Sequence, residues 1–265
     1  MQSDEYRKLA ETEDRMWYFR ALHRRLAHWL VRMMPAGSAV AEPRADLRRP
    51  LVAPVVRVLD AGCGTGGFLK AMQARHPGWQ LTGVDVSPLA CALARERTGA
   101  DVREGSITAL PFTDESFDAV VTGDVIYHVE AVALALREFA RCVKPGGVVL
   151  VNEPAYRWLW SYHDQAVESK HRFTRPELVA LFRQAGLEVV FASYLNLLML
   201  PLVVVRRKIF PPAQPTSDVK LYPAPVEALF SAMTWLEQAW IGRGLPLPAG
   251  STVFVAGVKP AAAAK

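Results

Sequence analysis

The densest run of chemically useful residues is Asp60-Ala61-Gly62-Cys63-Gly64-Thr65-Gly66-Gly67. Residues without side chains let a ligand approach the backbone, and a helix starting directly after such a turn offers unpaired N–H groups. Gly62, Gly64 and Gly67 fit the G-x-G-x-x-G dinucleotide fingerprint, and Asp85 stands near the separation at which that fingerprint carries its ribose-binding acid. Asp60 separates two ligand classes. A carboxylate just ahead of the turn suits a pyrophosphate poorly and a ligand with an ammonium group well. A turn that binds nothing is the third reading. Farther along, Asp124 precedes Tyr127 and His128, and an aromatic loop from Asn152 to Thr174 carries His163 beside Asp164. Histidine is the favoured residue for proton transfer near neutral pH, so either imidazole could act as a base. In the alternative, His128 marks a turn, the loop aromatics pack, and His171 and Arg172 cap or balance charge ahead of Thr174. The spacing of His128, His163 and His171 is irregular and Cys63, Cys91 and Cys142 lie far apart, so we expect no metal and reduced thiols.

These residues recur at the ends of alternating elements. Val55 to Asp60 is a short apolar strand, followed by a helix containing Phe68, Leu69 and Met72 that stops before Pro77. Gln80 to Val84 is a second strand, after which Ser87 and Pro88 form an N-cap and first-turn pair. A weak strand at Asp101 to Arg103, a strong one at Phe117 to Thr122, a helix over about Glu130 to Cys142 and a strand at Val148 to Val151 continue the pattern. Such βαβ repetition predicts a mostly parallel sheet, whose ligand crevice lies outside the carboxyl ends of its strands. Thr174-Arg175-Pro176-Glu177 has capping-box spacing, and Gly186 stands where the helix ending at Ala185 needs a left-handed residue. Leu187 to Phe191 and Thr252 to Val258 read as closing strands.

The flanks are less regular. Residues 4–34 read as helical, with Met16-Trp17-Tyr18-Phe19 as packing or a lid, and 35–54 as a linker without periodicity. Nine of the eleven residues from Leu195 to Val205 are apolar, yet the stretch contains Pro201 and ends in Arg206-Arg207-Lys208. It is short of the ~18 apolar residues of a membrane span but could lie on a membrane surface. Val226, Leu229, Phe230, Met233, Leu236 and Trp240 suggest an amphipathic helix. With 265 residues, 51% of them hydrophobic, the chain can bury a substantial core, which we read as one elaborated domain. The polar start lacks a secretory pattern, which is read as cytoplasmic. A net charge of +5 without dense basic and aromatic interleaving argues against nucleic acid.

Val58-Leu59-Asp60-Ala61-Gly62-Cys63-Gly64-Thr65-Gly66 resembles motif I of the class I S-adenosylmethionine-dependent methyltransferases. Leu81-Thr82-Gly83-Val84-Asp85 matches the family's acid after the second strand, Leu110-Pro111-Phe112 with Ser116 to Val120 and Val143-Lys144-Pro145-Gly146-Gly147 are similar to its middle section, and the loop from Asn152 to Thr174 resembles a segment of a bacterial branch. The resemblance covers residues 55–193. It implies a Rossmann-like α/β fold: a seven-stranded, mostly parallel sheet with helices on both faces and an antiparallel last strand between its neighbours. It implies S-adenosyl-L-methionine as cofactor, held by Asp60, Gly62, Cys63, Gly64, Gly66, Asp85, Val86, Ser106, Ile107 and Asp124, with Asp85 on the ribose hydroxyls. Ser106 stands where many members carry an adenine-binding Asp. His128, which follows the fourth strand beside the expected methyl position, and His163 are the candidate catalytic residues. Residues 1–54 would cap the acceptor site, 194–250 would be an apolar helical insertion over it, and 251–265 would supply the final strand. The expected acceptor is a small lipophilic or amphipathic molecule. Peripheral contact with the inner face of the membrane, a homodimer, a nicotinamide-dependent oxidoreductase and an inactive cofactor-binding partner protein are the other readings left open.

Overall fold

The computed structural model describes residues 3–34, 55–214 and 216–261; the expected linker at 35–54 lies outside them. Two helices, α1 (Ser3–Thr12) and α2 (Trp17–Met33), precede the first strand. The helical residues expected over 4–34 form these two helices, with Glu13 to Met16 as the corner between them. The alternation is then β1 (Arg57–Ala61), α3 (Gly67–Arg75), β2 (Gln80–Asp85), α4 (Pro88–Thr98), β3 (Asp101–Glu104), β4 (Phe117–Gly123), α5 (Val132–Cys142) and β5 (Val143–Pro154). Next come α6 (Tyr162–Ala166), α7 (Arg175–Gln184), β6 (Glu188–Leu195), α8 (Leu200–Val204), α9 (Ala224–Ile241) and β7 (Thr252–Val258).

The seven strands form one sheet in the order β3-β2-β1-β4-β5-β7-β6. All pairings are parallel except those of β7, which runs antiparallel to both β5 and β6. The expected seven-stranded Rossmann-like sheet is thus present, closing strand included. Strand order reverses between β1 and β4, which puts the ligand crevice at the carboxyl ends of those strands.

Both faces of the sheet are covered, so its strands read as near-continuous apolar runs that alternate sides with a period of two. Leu59, Val120 and Val149 point into a core with Leu136, Phe139, Leu178 and Phe182 from α5 and α7. Their neighbours Val58, Val121 and Leu150 point the opposite way, against Leu30, Leu69, Met72 and Ala94 from α2, α3 and α4. α2 is fixed to the sheet by Trp29, which stacks on Phe191 at 4.3 Å between centroids. Local signals act where expected. Ser87 accepts from Ala90 N at the start of α4, Thr174 and Glu177 close a reciprocal capping box on α7, and Gly186 is left-handed at φ 79°. The apolar stretch from Leu195 resolves into the end of β6, a turn, α8 and a single π turn over Val205–Ile209.

Candidate active site

The cradle between β1 and α3 is shaped by three left-handed glycines, Gly62, Gly64 and Gly66, with φ of 83°, 51° and 85°. The turn is held from β2: Gly62 N and Cys63 N donate to Val84 O at 2.8 and 2.9 Å, and Gly64 N donates to Asp85 Oδ2 at 2.9 Å. A Cβ on Gly62 would sit 2.3 Å from Val125 Cγ1. Gly62→Ala should therefore cost about 2–4 kcal/mol, from left-handed strain plus overpacking. Thermal denaturation checks this, and Val125→Ala in the same chain should restore part of the loss but not the strain. Gly66 has a different place from the one expected. It turns the chain into α3 against Ala94 and Thr98 of α4 and does not face the cavity.

That cavity, about 930 Å³, joins the cradle to the N-terminal helices and the β6–β7 insertion. It brings together Asp60, Gly62, Cys63, Gly64, Asp85, Val86, Ser106, Ile107, Asp124, His128 and His163. Asp60 is only 5% exposed, and no hydrogen bond reaches its carboxylate among the described residues. Burial first, then the charges of Asp85 and Glu13, push its pKa well above the usual carboxylate range. Asp85 accepts from Ser87 N at 2.9 Å on Oδ1 and is approached by Tyr6 Oη of α1 at 3.5 Å. Burial raises its pKa too, against those hydrogen bonds. Ser106 shares a hydrogen bond with Thr108 Oγ1 at 2.8 Å.

The far wall adds residues to which the sequence reading gave no role in the site, Glu13, Asp14, Arg25, Arg97 and Glu153 among them. Glu13, at the α1–α2 corner, accepts from Thr65 Oγ1 and pairs with Arg97, while Asp14 accepts from Lys70 Nζ at 2.6 Å and Arg97 Nη2 at 3.0 Å. The corner is thereby clamped over the cradle. Asp124, a non-glycine residue at φ 58°, accepts from Tyr18 Oη at 2.7 Å and Asn152 Nδ2 at 3.2 Å, and Asn152 Oδ1 accepts from buried Arg25 at 3.0 Å. Burial pushes the Asp124 pKa up to about 6. Glu153 caps the next turn, Ile126–His128, taking Val125 N and Ile126 N on Oε1 at 3.1 and 3.0 Å and Tyr127 N on Oε2 at 3.2 Å. A charged residue beside Asn152 at the end of an otherwise apolar strand was the available signal for this role.

His128 and His163 do not form carboxylate dyads. His128 is hydrogen-bonded to the Glu168 backbone, and burial pulls its pKa down to about 4. His163 Nδ1 accepts from Asp218 N at 3.0 Å, and burial followed by the Arg207 charge lowers it to about 4 as well. Asp164, read beside His163 as an acid/base pair, is instead committed to Arg172 through bonds of 2.6 and 3.1 Å and to Ser161 N at 2.9 Å. Residues adjacent in a helix point about 100° apart, and Asp164 serves as the α6 capping-box acid.

A family description, "Methyltransferase domain", matches residues 59–151. Malonyl-acyl carrier protein O-methyltransferase of Erwinia pyrifoliae is 45% identical over 98 residues, which is 37% of this chain and 37% of the relative. Demethylmenaquinone methyltransferase of Chlorobaculum parvum is 38% identical over 99 residues, 37% of this chain and 41% of the relative. The match thus spans about two fifths of the length of these curated relatives. Among solved structures, geranyl diphosphate C-methyltransferase from Streptomyces coelicolor superposes with a TM-score of 0.56 at 17% identity, covering 88% of this chain and 76% of that one. At that identity the likeness concerns the fold.

Proposed function

From a core that belongs to the class I S-adenosylmethionine-dependent methyltransferases, we propose that this chain methylates a small amphipathic acceptor. The observation that carries this is one cavity joining the acid-lined glycine cradle to an apolar chamber walled by Trp17, Leu22, Met199, Leu202, Val203 and Phe230.

The cradle fits the cofactor: Asp60 offers a carboxylate without a partner among the described residues, the glycines leave room at the backbone, and Asp85 lies across the turn. Asp60 would hold the ammonium, Asp85 the ribose hydroxyls, and Val86, Ser106 and Ile107 the base. S-adenosylmethionine, when bound, supplies a methyl group already activated on a cationic sulfur. What remains for the protein is positioning, exclusion of water and, for a hydroxyl or amine acceptor, removal of a proton. Asp124, ionised above pH 6 and facing the cavity, has the basicity suited to that last task. His128 and His163 stay neutral at pH 7 and act as hydrogen-bonding partners for the acceptor. Of the acceptors in the relatives' names, demethylmenaquinone, a quinone, supports an acceptor with a substantial apolar part.

Calorimetric titration with S-adenosylhomocysteine and, in parallel, NAD tests the cofactor. Micromolar binding of the former alone is expected, and binding of NAD alone overturns the proposal. Release of S-adenosylhomocysteine on adding amphipathic acceptors then separates an enzyme from an inactive partner protein. With an acceptor in hand, kcat/KM should fall as pH drops through about 6. Asp124→Asn should remove that limb, whereas His128→Phe and His163→Phe each cost less than about tenfold. A tenfold loss is only about 1.4 kcal/mol of barrier. An acid limb unchanged in Asp124→Asn rejects its role as base.

A further inference from the structure

The outer face of α9 carries no charge. Its two acids turn inward: Glu227 accepts from Trp17 N at 2.7 Å and Tyr222 N at 3.0 Å, and Glu237 accepts from Asn196 N and Leu198 N, each at 2.7 Å. Outward, Leu229, Leu236 and Trp240 share one stripe, and Trp235 stands about 100° round the helix from Leu236. The π turn after α8 adds Ile209 and the chain then adds Phe210, so that these six side chains are each 51–68% exposed. Large apolar groups exposed on elements that wall one cavity mark an interaction site.

Cations without an acid partner lie in the π turn and just after α9, while Arg207 of the same turn pairs with Asp164 and Asp218. Arg206 Nη1 donates to Phe210 O, Lys208 Nζ to Trp160 O and Arg243 Nη1 to Ala239 O, all neutral carbonyls. Among the described residues none of these three cations has a carboxylate partner. Apolar and tryptophan side chains bordered by unpaired Lys and Arg match the boundary of a bilayer with anionic headgroups. A soluble partner of that chemistry would need an equally apolar face ringed by acids. No helix among the described residues is long and apolar enough to cross a membrane, so the contact would be peripheral. The same elements wall the cavity: Leu202 and Val203 from α8, Arg206 from the π turn and Phe230 from α9.

We propose that α9 and the α8–Phe210 segment dock this protein on the surface of an anionic membrane, with the mouth of the acceptor cavity at the lipid boundary. This inference does not depend on methyl transfer, since docking requires neither cofactor nor turnover. The test is co-sedimentation of the full chain with vesicles of phosphatidylcholine alone and of phosphatidylcholine with phosphatidylglycerol. Binding to the mixed vesicles is expected, weakened at least tenfold by Trp235→Ser with Trp240→Ser. At about fivefold per cation, Lys208→Glu with Arg243→Glu should weaken it at least twentyfold. Affinity for S-adenosylhomocysteine should be unchanged in both double variants, which shows that the fold and cradle survive. Two results overturn the proposal: no vesicle binding by the unaltered chain, or vesicle-free self-association that the tryptophan substitutions abolish, which would assign the face to a second copy.

Discussion

Asp60→Asn is expected to weaken S-adenosylhomocysteine binding by about 30-fold to several thousandfold, the cost of removing one partner from a buried charge pair. The same substitution should raise the melting temperature of the ligand-free protein. These opposite effects have one cause. In the free protein the Asp60 carboxyl is buried beside Asp85 and Glu13 with no hydrogen-bond partner among the described residues, and its pKa is held well above the usual range. A carboxyl whose folded pKa lies above its unfolded value takes stability from the fold as pH rises through the unfolded and then the folded value. An amide escapes that loss. Cofactor binding reverses the balance, because the ammonium stabilises the ionised form. Binding should therefore release a proton below the free-protein pKa of Asp60, and affinity should climb with pH until that pKa is passed. Calorimetry in two buffers of different ionisation enthalpy reads the proton directly, and 5′-methylthioadenosine, which lacks the ammonium, should release none. If Asp60→Asn binds normally, or if both ligands release the same proton, Asp60 does not hold the ammonium.

The parts of this site that were legible in the sequence are those whose geometry is fixed within a few residues. The glycine turn, Asp85, the Ser87 cap and the Thr174 box all follow from local backbone requirements, and each is where its spacing placed it. The mostly parallel sheet followed from βαβ repetition, whereas the antiparallel last strand between its neighbours came only from the family resemblance. What spacing did not reveal was every contact that closes the cavity from a distance. Glu13 reaches Thr65, Tyr18 reaches Asp124, and Asp218 N reaches His163. None of these pairs has a local signature, because it is the docking of α1, α2 and the insertion on the sheet that creates them. The same limit explains His163 and Asp164. Proximity in sequence suggested a dyad, while the helix turned the carboxylate toward Arg172, a residue that sequence spacing had set aside as a capping or charge-balancing group. Gly66 shows the converse. Its conformation was legible, but its side of the loop was decided by the packing of α4.

Glu153→Ala should destabilise the protein by about 3–5 kcal/mol, because three backbone N–H groups lose their acceptor in a site closed to water. At roughly 2–4 °C per kcal/mol for a chain of this size, that is a fall of about 6–20 °C in Tm. Glu153→Gln keeps the shape and one acceptor oxygen, enough for Val125 N and Ile126 N, but turns an NH₂ group toward Tyr127 N. Its loss should be clearly smaller than that of alanine and still measurable. The consequence for function is specific to this turn. Ile126–His128 carries His128 into the cavity and is separated from Asp124 only by Val125, and it is tied down from the other side by Lys170 N and His171 N, which donate to Tyr127 O at 2.8 and 3.1 Å. Loosening the cap should disturb the acceptor side of the site more than the cradle. In Glu153→Gln we therefore expect S-adenosylhomocysteine affinity within about threefold of the unaltered chain, and kcat reduced by an order of magnitude or more, as for a misplacement of an ångström at a reacting centre. A purely space-filling Glu153 would behave otherwise. Glu153→Leu would then match or exceed the parent in stability, as apolar replacements of buried ionic groups often do, and Glu153→Gln would leave both Tm and kcat unmoved.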